Sequence, residues 1–294
     1  MPELLAEHEE TTTGDLNILY RAGKLLNPNN PEILSDYPLT RFNTKDVGQV
    51  YTLPGTQEEI TRKVTKELQR QIEIIHNFFG LKSEDLPKVT LILGASDTSS
   101  LGSCSLQIFE QPLIYPTIFV PSHRHELEED LLPVTLRHEY LHNLDFLLGK
   151  VEDEDKGSFS QIAAASLAGA VFKTFPDLQT EYYEDPEDAD AFTDILRHLK
   201  GDQTWEPASD LIDILGEYRI LSGELAIGHP YDSVMEFFVS ILNTMSDPSF
   251  KEGLQSKTEK EKENIQKLYP AIRRLVEDRI SELGLGVENL EVAA

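Results

Sequence analysis

Two histidines with a glutamate between them are the residues of this sequence best suited to chemistry. They lie in the segment 138–142 (His-Glu-Tyr-Leu-His), inside a stretch whose apolar spacing predicts a helix over about 133–148. Residues four apart lie on the same side of a helix, so the imidazoles of His138 and His142 can bind one metal ion. Glu139 lies beside the first histidine and can accept a proton from a metal-activated water without binding the metal itself. The spacing indicates a zinc-dependent hydrolase.

The same helix carries a carboxylate that can support such a site. Asp145 follows His138 by almost two full turns and therefore returns to the same side of the helix. There it can accept a ring N–H from a ligand histidine and fix which nitrogen faces the metal. The structural alternative is a buried helix whose two histidines bond only to carbonyl groups or to Asp145, with no metal bound.

A third metal ligand must come from another part of the chain, because catalytic zinc usually has three protein ligands and a water. The longer motif HExxHxxGxxH is excluded, since aspartate and leucine stand where it requires glycine and histidine. Glu236 is the strongest candidate, being the only charge in the apolar stretch 234–239, where an unpaired carboxylate costs free energy to bury. Glu217 and Glu224 are weaker candidates. A salt-bridged core glutamate is the other interpretation of Glu236.

The elements around this helix predict an α+β fold. Apolar residues at helical spacing predict a long helix from Thr56 to Gly80. Apolar or alternating runs at 89–93, 104–108 and 117–120 predict three strands. After the histidine helix come an Ala-rich helix and further helices up to about residue 283, the last two separated or kinked at Pro270.

The chain is expected to have three parts. Residues 1–55, with scattered proline, asparagine and threonine, predict an N-terminal arm or prodomain-like segment. Residues 56–150 contain the predicted sheet and the histidine helix. Residues 151–294 form a helical C-terminal subdomain that carries the third metal ligand.

Composition narrows the classes of partner. The chain has 294 residues, of which 39% are hydrophobic, enough to bury a core. Its formal charge of −26 repels phosphate backbones and anionic lipid, so neither nucleic acid nor a membrane is an expected partner. The single cysteine cannot form an internal disulfide, and the first residues lack a signal-peptide pattern. We expect a cytoplasmic protein, with non-classical export left open, and the sequence does not indicate its oligomeric state.

Two short motifs, together with a run that follows the second, resemble a known protein family. The segment 138–145 (His-Glu-Tyr-Leu-His-Asn-Leu-Asp), the later 236–238 (Glu-Phe-Phe) and the run 245–248 (Met-Ser-Asp-Pro) resemble the catalytic domain of the anthrax lethal factor-like zinc metallopeptidases. That family has H-E-x-x-H-x-x-D on its active-site helix and takes its third ligand from a glutamate directly before two phenylalanines. The resemblance covers roughly residues 56–283.

The resemblance implies a specific fold and site. The fold is zincin-like: a small, mixed, twisted sheet whose antiparallel edge strand lies over the active-site helix, followed by a mostly helical subdomain. The ligands of Zn²⁺ are His138, His142 and Glu236, as in a gluzincin, and Glu139 is the general base. The stretch between the second and third ligands is longer than the family suggests, which indicates an inserted helical lobe.

Two positions near the third ligand depart from the family pattern. A second glutamate often follows Phe-Phe-Ala in the family, whereas this chain has Val239 and Ser240. The family's transition-state tyrosine lies seven residues before the glutamate ligand, where this chain has His229, while Tyr231 lies five before it. Either side chain can donate to the oxyanion, and Tyr231 is the preferred candidate.

The predicted activity is hydrolysis of peptide bonds in a protein or peptide substrate. An extended substrate is expected to add to the sheet at the strand 104–108, with main-chain hydrogen bonds along the edge. Two alternatives remain open. One is a zinc hydrolase of non-peptide amides, since metal and base do not dictate the leaving group. The other is a catalytically weak or inactive binding protein of the same fold.

Overall fold

The structure is a computed structural model that describes residues 39–40, 45–52, 57–94, 103–108, 111–121, 131–151, 154–155, 157–178, 188–201, 205–215 and 229–286. Most of the predicted N-terminal arm lies outside these residues. The described residues form a sheet and a larger set of helices, which agrees with the α+β expectation at that level. The chain divides into two compact units, residues 1–77 with 82–143 and residues 78–81 with 144–294.

The first unit contains a mixed sheet of five strands. Three strands run parallel in its centre, and a strand pairs antiparallel at each edge. Along the sheet the order is β1, β2, β3, β5, β4, so the strand expected at 104–108 lies at an edge. The strands are β1 (Leu39–Thr40), β2 (Val47–Thr52), β3 (Val89–Gly94), β4 (Ser103–Ile108) and β5 (Gln111–Pro121).

Two of these strands were not indicated by the sequence pattern. Strands β1 and β2 lie in the stretch expected to be an arm, and β2 pairs in parallel with β3. Val47 and Val50 of β2 are buried, as are Leu91 and Leu93 of β3. This burial on the central strands is typical of parallel strands that are covered by other elements.

Helix α1 (Glu58–Phe79) is the long helix that apolar spacing predicts. Its apolar stripe is buried, with Val64, Leu68 and Ile72 each 0% exposed. Gly80 follows with a φ of 64°, a left-handed conformation that glycine adopts without steric cost, so the helix stops there. Thr56, the expected N-cap, lies outside the described residues.

Helix α2 (Leu131–Gly149) carries the two histidines and starts slightly earlier than the expected residue 133. Every residue from 135 to 145 is buried, so the middle of this helix has no solvent-exposed face. Its last residue, Gly149, packs against backbone: an added Cβ would lie 2.2 Å from the carbonyl oxygen of Gly157. Glycine is required there because no side chain fits this close approach.

The second unit is largely helical. Its core is made by apolar faces of these helices, including Leu167, Phe192, Phe237 and Leu268, each 0% exposed. Among the described helices of the chain, none is both long and apolar enough to cross a membrane. The helices are α3 (Phe159–Ile162), α4 (Ala164–Thr174), α5 (Ala189–Gly201), α6 (Glu206–Leu215), α7 (Val234–Ser246), α8 (Phe250–Gly253) and α9 (Glu259–Glu282).

Helix α9 contains Pro270. The sequence predicted either two separate helices or one kinked helix at this proline, and the structure has one continuous helix, which excludes the first alternative. The helix begins with a capping box, in which Thr258 and Glu261 each bond to the other's backbone N–H. Gln266, whose carbonyl loses its intrahelical partner to Pro270, is exposed, so that carbonyl is not forced into an apolar core.

Candidate metal site

The two histidines of helix α2 converge. Their Nε2 atoms lie 3.1 Å apart, and the two rings stand nearly perpendicular, with an interplanar angle of 80°. Both side chains are buried, His138 at 2% and His142 at 7% exposure. Two nitrogens bound about 2.0–2.1 Å from a tetrahedral zinc ion lie roughly 3.3 Å apart. The spacing of the two Nε2 atoms is therefore close to what one shared ion requires.

Glu236 lies in the first turn of helix α7. The Ser233 side chain caps this helix by accepting a hydrogen bond of 3.2 Å from the Glu236 backbone N–H. The positive end of the helix dipole favours a carboxylate in this turn. Phe237 and Phe238 follow and are fully buried, the first against Phe192 and the second against Phe159. These contacts anchor the helix directly behind the carboxylate.

The three predicted ligands come together. His138, His142 and Glu236 each offer one ligand atom, and these atoms all lie within 4.8 Å of one another. Two neutral imidazoles and one carboxylate form a donor set that suits zinc. Among the described residues this is the one group of three such side chains able to hold a metal ion.

Glu139 is buried at 6% exposure, beside the first ligand on helix α2. Its backbone carbonyl accepts a hydrogen bond of 3.2 Å from the side-chain amide of Asn143. Its role as the base stays a prediction.

Tyr231 lies in a 3₁₀ helix (His229–Tyr231) just before α7 and is 1% exposed. Its hydroxyl has no hydrogen-bond partner among the described residues. Burial, with a smaller contribution from Asp213, raises the pKa of Tyr231 well above its usual value. The phenol therefore stays neutral and keeps its proton for donation. The side chain of His229, the other candidate, lies outside the described part of the chain, as do Glu217 and Glu224.

Asp145 is fully buried, and its carboxylate accepts two hydrogen bonds from Ser160. These run from the Ser160 backbone N–H at 2.7 Å and from its hydroxyl at 2.6 Å. The contacts tie helix α2 to the start of helix α3. They show a structural role that the sequence analysis did not foresee, and the predicted role of Asp145 in orienting a ligand histidine stays a prediction.

Polar side chains on helix α2 also face helix α1, and the sequence analysis did not single them out. The Tyr140 hydroxyl lies 2.6 Å from Nε2 of His76, and the Arg137 guanidinium donates to Gln71 at 3.0 Å. All four residues are buried. The signal available in the sequence was weak: a tyrosine inside the metal motif, and a histidine near the end of an amphipathic helix.

Comparisons with protein-family models, with curated proteins and with solved structures find no match for this chain. Inferences about its function rest on the side chains of helices α2 and α7 described above.

Proposed function

We propose that the protein is a zinc metallopeptidase. The observation that carries this proposal is the convergence of His138, His142 and Glu236, whose ligand atoms lie within 4.8 Å of one another. The H-E-x-x-H segment supports it, since it supplies Glu139 next to the first ligand in the order that such enzymes use. We further propose the zincin-like fold and the relationship to the lethal factor-like metallopeptidases that the motifs suggest.

Each part of the proposed reaction is assigned to a residue of this chain. His138 and His142 would hold the metal through Nε2 and Glu236 through a carboxylate oxygen. When bound, zinc supplies Lewis-acid polarisation of the scissile carbonyl and makes water nucleophilic at neutral pH. Glu139 accepts the proton of the attacking water and passes it to the leaving amine.

Tyr231 is the proposed donor to the oxyanion. Its phenol is neutral and buried, and its hydroxyl has no partner among the described residues, so a substrate oxygen would not compete with an existing hydrogen bond. A preorganised donor of this kind stabilises the developing negative charge at low reorganisation cost. His229 is the alternative donor from the same 3₁₀ helix.

The proposed substrate is an extended peptide. Strand β4 is the last strand at its edge of the sheet, and it pairs with β5 on one side only among the described strands. An extended chain that adds there gains main-chain hydrogen bonds along the edge, and these bonds do not depend on its side chains. Side-chain selectivity would then come from residues near the scissile bond.

A peptide-library digestion tests the proposal. The purified protein is freed of metal with a chelator, reconstituted with zinc, and incubated with the library at neutral pH. We expect cleavage that requires zinc and that is abolished in Glu139→Gln but retained in Glu252→Gln, an exposed glutamate on α8. Zinc bound at one per chain without any peptide cleavage would contradict peptidase activity and favour the binding protein or the hydrolase of other amides.

A further inference from the structure

We propose that Tyr140 and His76 are positioning residues for the metal site. They hold helix α2 at one rotation and one height against helix α1, and so fix the direction in which His138 and His142 together present their Nε2 atoms. The inference rests on the proposed zinc site and adds to it the residues that control its geometry.

Tyr140 leaves helix α2 opposite to the ligands. It lies two residues after His138 and two before His142, and two residues correspond to about 200° around a helix. Its hydroxyl lies 2.6 Å from Nε2 of His76, in the last turn of α1, and Nδ1 of His76 lies 2.9 Å from Oγ of Ser83. Tyr140 and His76 are 2% and 4% exposed. These buried hydrogen bonds therefore join α2 to α1 and to the turn that follows α1.

The hydrogen bonds among Tyr140, His76 and Ser83 depend on the protonation of the His76 imidazole. Burial lowers the pKa of His76, so its imidazole is neutral near pH 7. A neutral imidazole has one donor and one acceptor nitrogen. With the proton on Nδ1, His76 accepts from the Tyr140 hydroxyl at Nε2 and donates to Oγ of Ser83; the other tautomer reverses both directions. Each of these three groups therefore has a hydrogen-bond partner, and no charge is buried among them.

A second contact acts beside the first. The Arg137 guanidinium donates to the side-chain oxygen of Gln71 at 3.0 Å, and the Gln71 amide donates to Glu67 at 2.6 Å. Arg137 and Tyr140 are three residues apart on α2, so the two contacts are spaced along the helix. Apolar packing is non-directional and permits small rotations, whereas hydrogen bonds require a defined geometry. Two spaced hydrogen bonds fix both the rotation and the height of α2.

This control matters for the metal because its ligands are at the tips of long side chains. A small rotation of α2 moves both imidazole tips together, and farther than it moves the helix axis, so it changes their spacing from the third proposed ligand, Glu236. Metal sites lose affinity when their ligands depart by more than about 0.5 Å from the productive geometry. Loss of the Tyr140 hydroxyl is therefore expected to weaken metal binding as well as folding stability.

The test compares two tyrosine variants. Tyr140→Phe removes the hydroxyl that bonds His76. Tyr269→Phe, the matched control, removes another buried tyrosine hydroxyl, one that donates to the carbonyl oxygen of Ile214 far from the motif in sequence. Zinc affinity is measured by competition with a chromophoric chelator, and ligand geometry by the visible spectrum of the Co²⁺ form. We expect about tenfold weaker zinc binding and an altered spectrum for Tyr140→Phe, with neither change for Tyr269→Phe.

A second pair of variants covers the case in which Tyr140→Phe does not fold. His76→Gln keeps an acceptor for the Tyr140 hydroxyl, whereas His76→Leu does not, so zinc affinity should be higher in the glutamine variant. Equal affinity in these two, or wild-type affinity and spectrum in folded Tyr140→Phe, overturns the inference and leaves the zinc site in place. Failure of the wild-type protein to bind zinc overturns the proposed function itself, and the positioning role with it.

Discussion

The imidazoles of His138 and His142 meet at their tips, with their Nε2 atoms 3.1 Å apart on a buried helix. In a metal-free protein this distance corresponds to one N–H···N hydrogen bond, in which one ring donates to the other. A shared cation uses the lone pairs of both nitrogens at nearly the same spacing. The spacing of the two nitrogens therefore suits the proposed shared ion.

Glu139→Gln should separate metal binding from catalysis. The substitution keeps the shape of the side chain but removes its ability to accept a proton. We expect full zinc content and a loss of peptide hydrolysis of about 10²–10⁴-fold. Metal analysis and an initial-rate assay on the same preparation measure both quantities. Substantial residual turnover would show that another group acts as the base.

Asp145→Ala should destabilise the protein strongly. The carboxylate is fully buried and accepts two hydrogen bonds from Ser160, so its removal leaves a buried N–H and a buried hydroxyl without their acceptor. We expect a loss of about 3 kcal/mol in the free energy of unfolding, measured by urea denaturation. Asp194→Ala, which changes an exposed aspartate on α5, is the control and should shift the urea midpoint very little.

Two glycine substitutions should have opposite effects. Gly149→Ala places a Cβ 2.2 Å from the Gly157 carbonyl oxygen, so backbone must move, and we expect a loss of about 3 kcal/mol in stability. Gly169→Ala, inside helix α4, meets no atom within 4 Å and should add about 0.5–1 kcal/mol through helix propensity. Thermal unfolding of both variants measures this difference. Equal shifts would contradict the close approach of Gly149 to the backbone after α2.

His76 should make stability depend on pH below neutrality. Burial is the largest influence on its pKa and lowers it from the usual 6.5; Lys45 also lowers it, while Asp46 and Glu73 raise it. The unfolded chain therefore takes up this proton at a higher pH than the folded chain does. The contribution of His76 is fully present above about pH 6.5 and is lost as pH falls towards the folded-state pKa.

His76→Gln measures that contribution because glutamine does not titrate. Its free energy of unfolding should fall less steeply than that of the wild-type protein as the pH is lowered from 7 to 5, with chemical denaturation as the measurement. Parallel profiles for the two proteins would mean that His76 is not held neutral by burial.

Local sequence patterns predicted those features that depend on neighbouring residues. Apolar residues at helical spacing located α1, and the glycine after it marked its end. The His-Glu-x-x-His spacing predicted the convergence of two imidazoles, because four residues on a helix determine their relative direction. The single charge in an apolar stretch pointed to Glu236, whose ligand atom lies within 4.8 Å of those of both histidines.

Features that depend on distant pairing were not visible in the sequence. Strand β2 forms through its parallel partner β3, and nothing in its own short, glycine-containing sequence indicates that partner. The Tyr140–His76 contact joins residues 64 positions apart. The proline inside α9 suggested a break, but the flanking buried residues Leu268 and Ile272 keep the helix continuous through tertiary packing.

Zinc titration of Glu236→Ala beside the wild-type protein tests the central claim most directly. Glu252→Ala serves as the control for removal of a glutamate on the surface. We expect one tightly bound zinc per chain in the wild-type and control proteins. In Glu236→Ala the zinc affinity should be weaker by a factor of about 10 or more, since one of the three proposed protein ligands is lost. Unchanged affinity in Glu236→Ala would show that this carboxylate does not bind the metal and would contradict the three-ligand site.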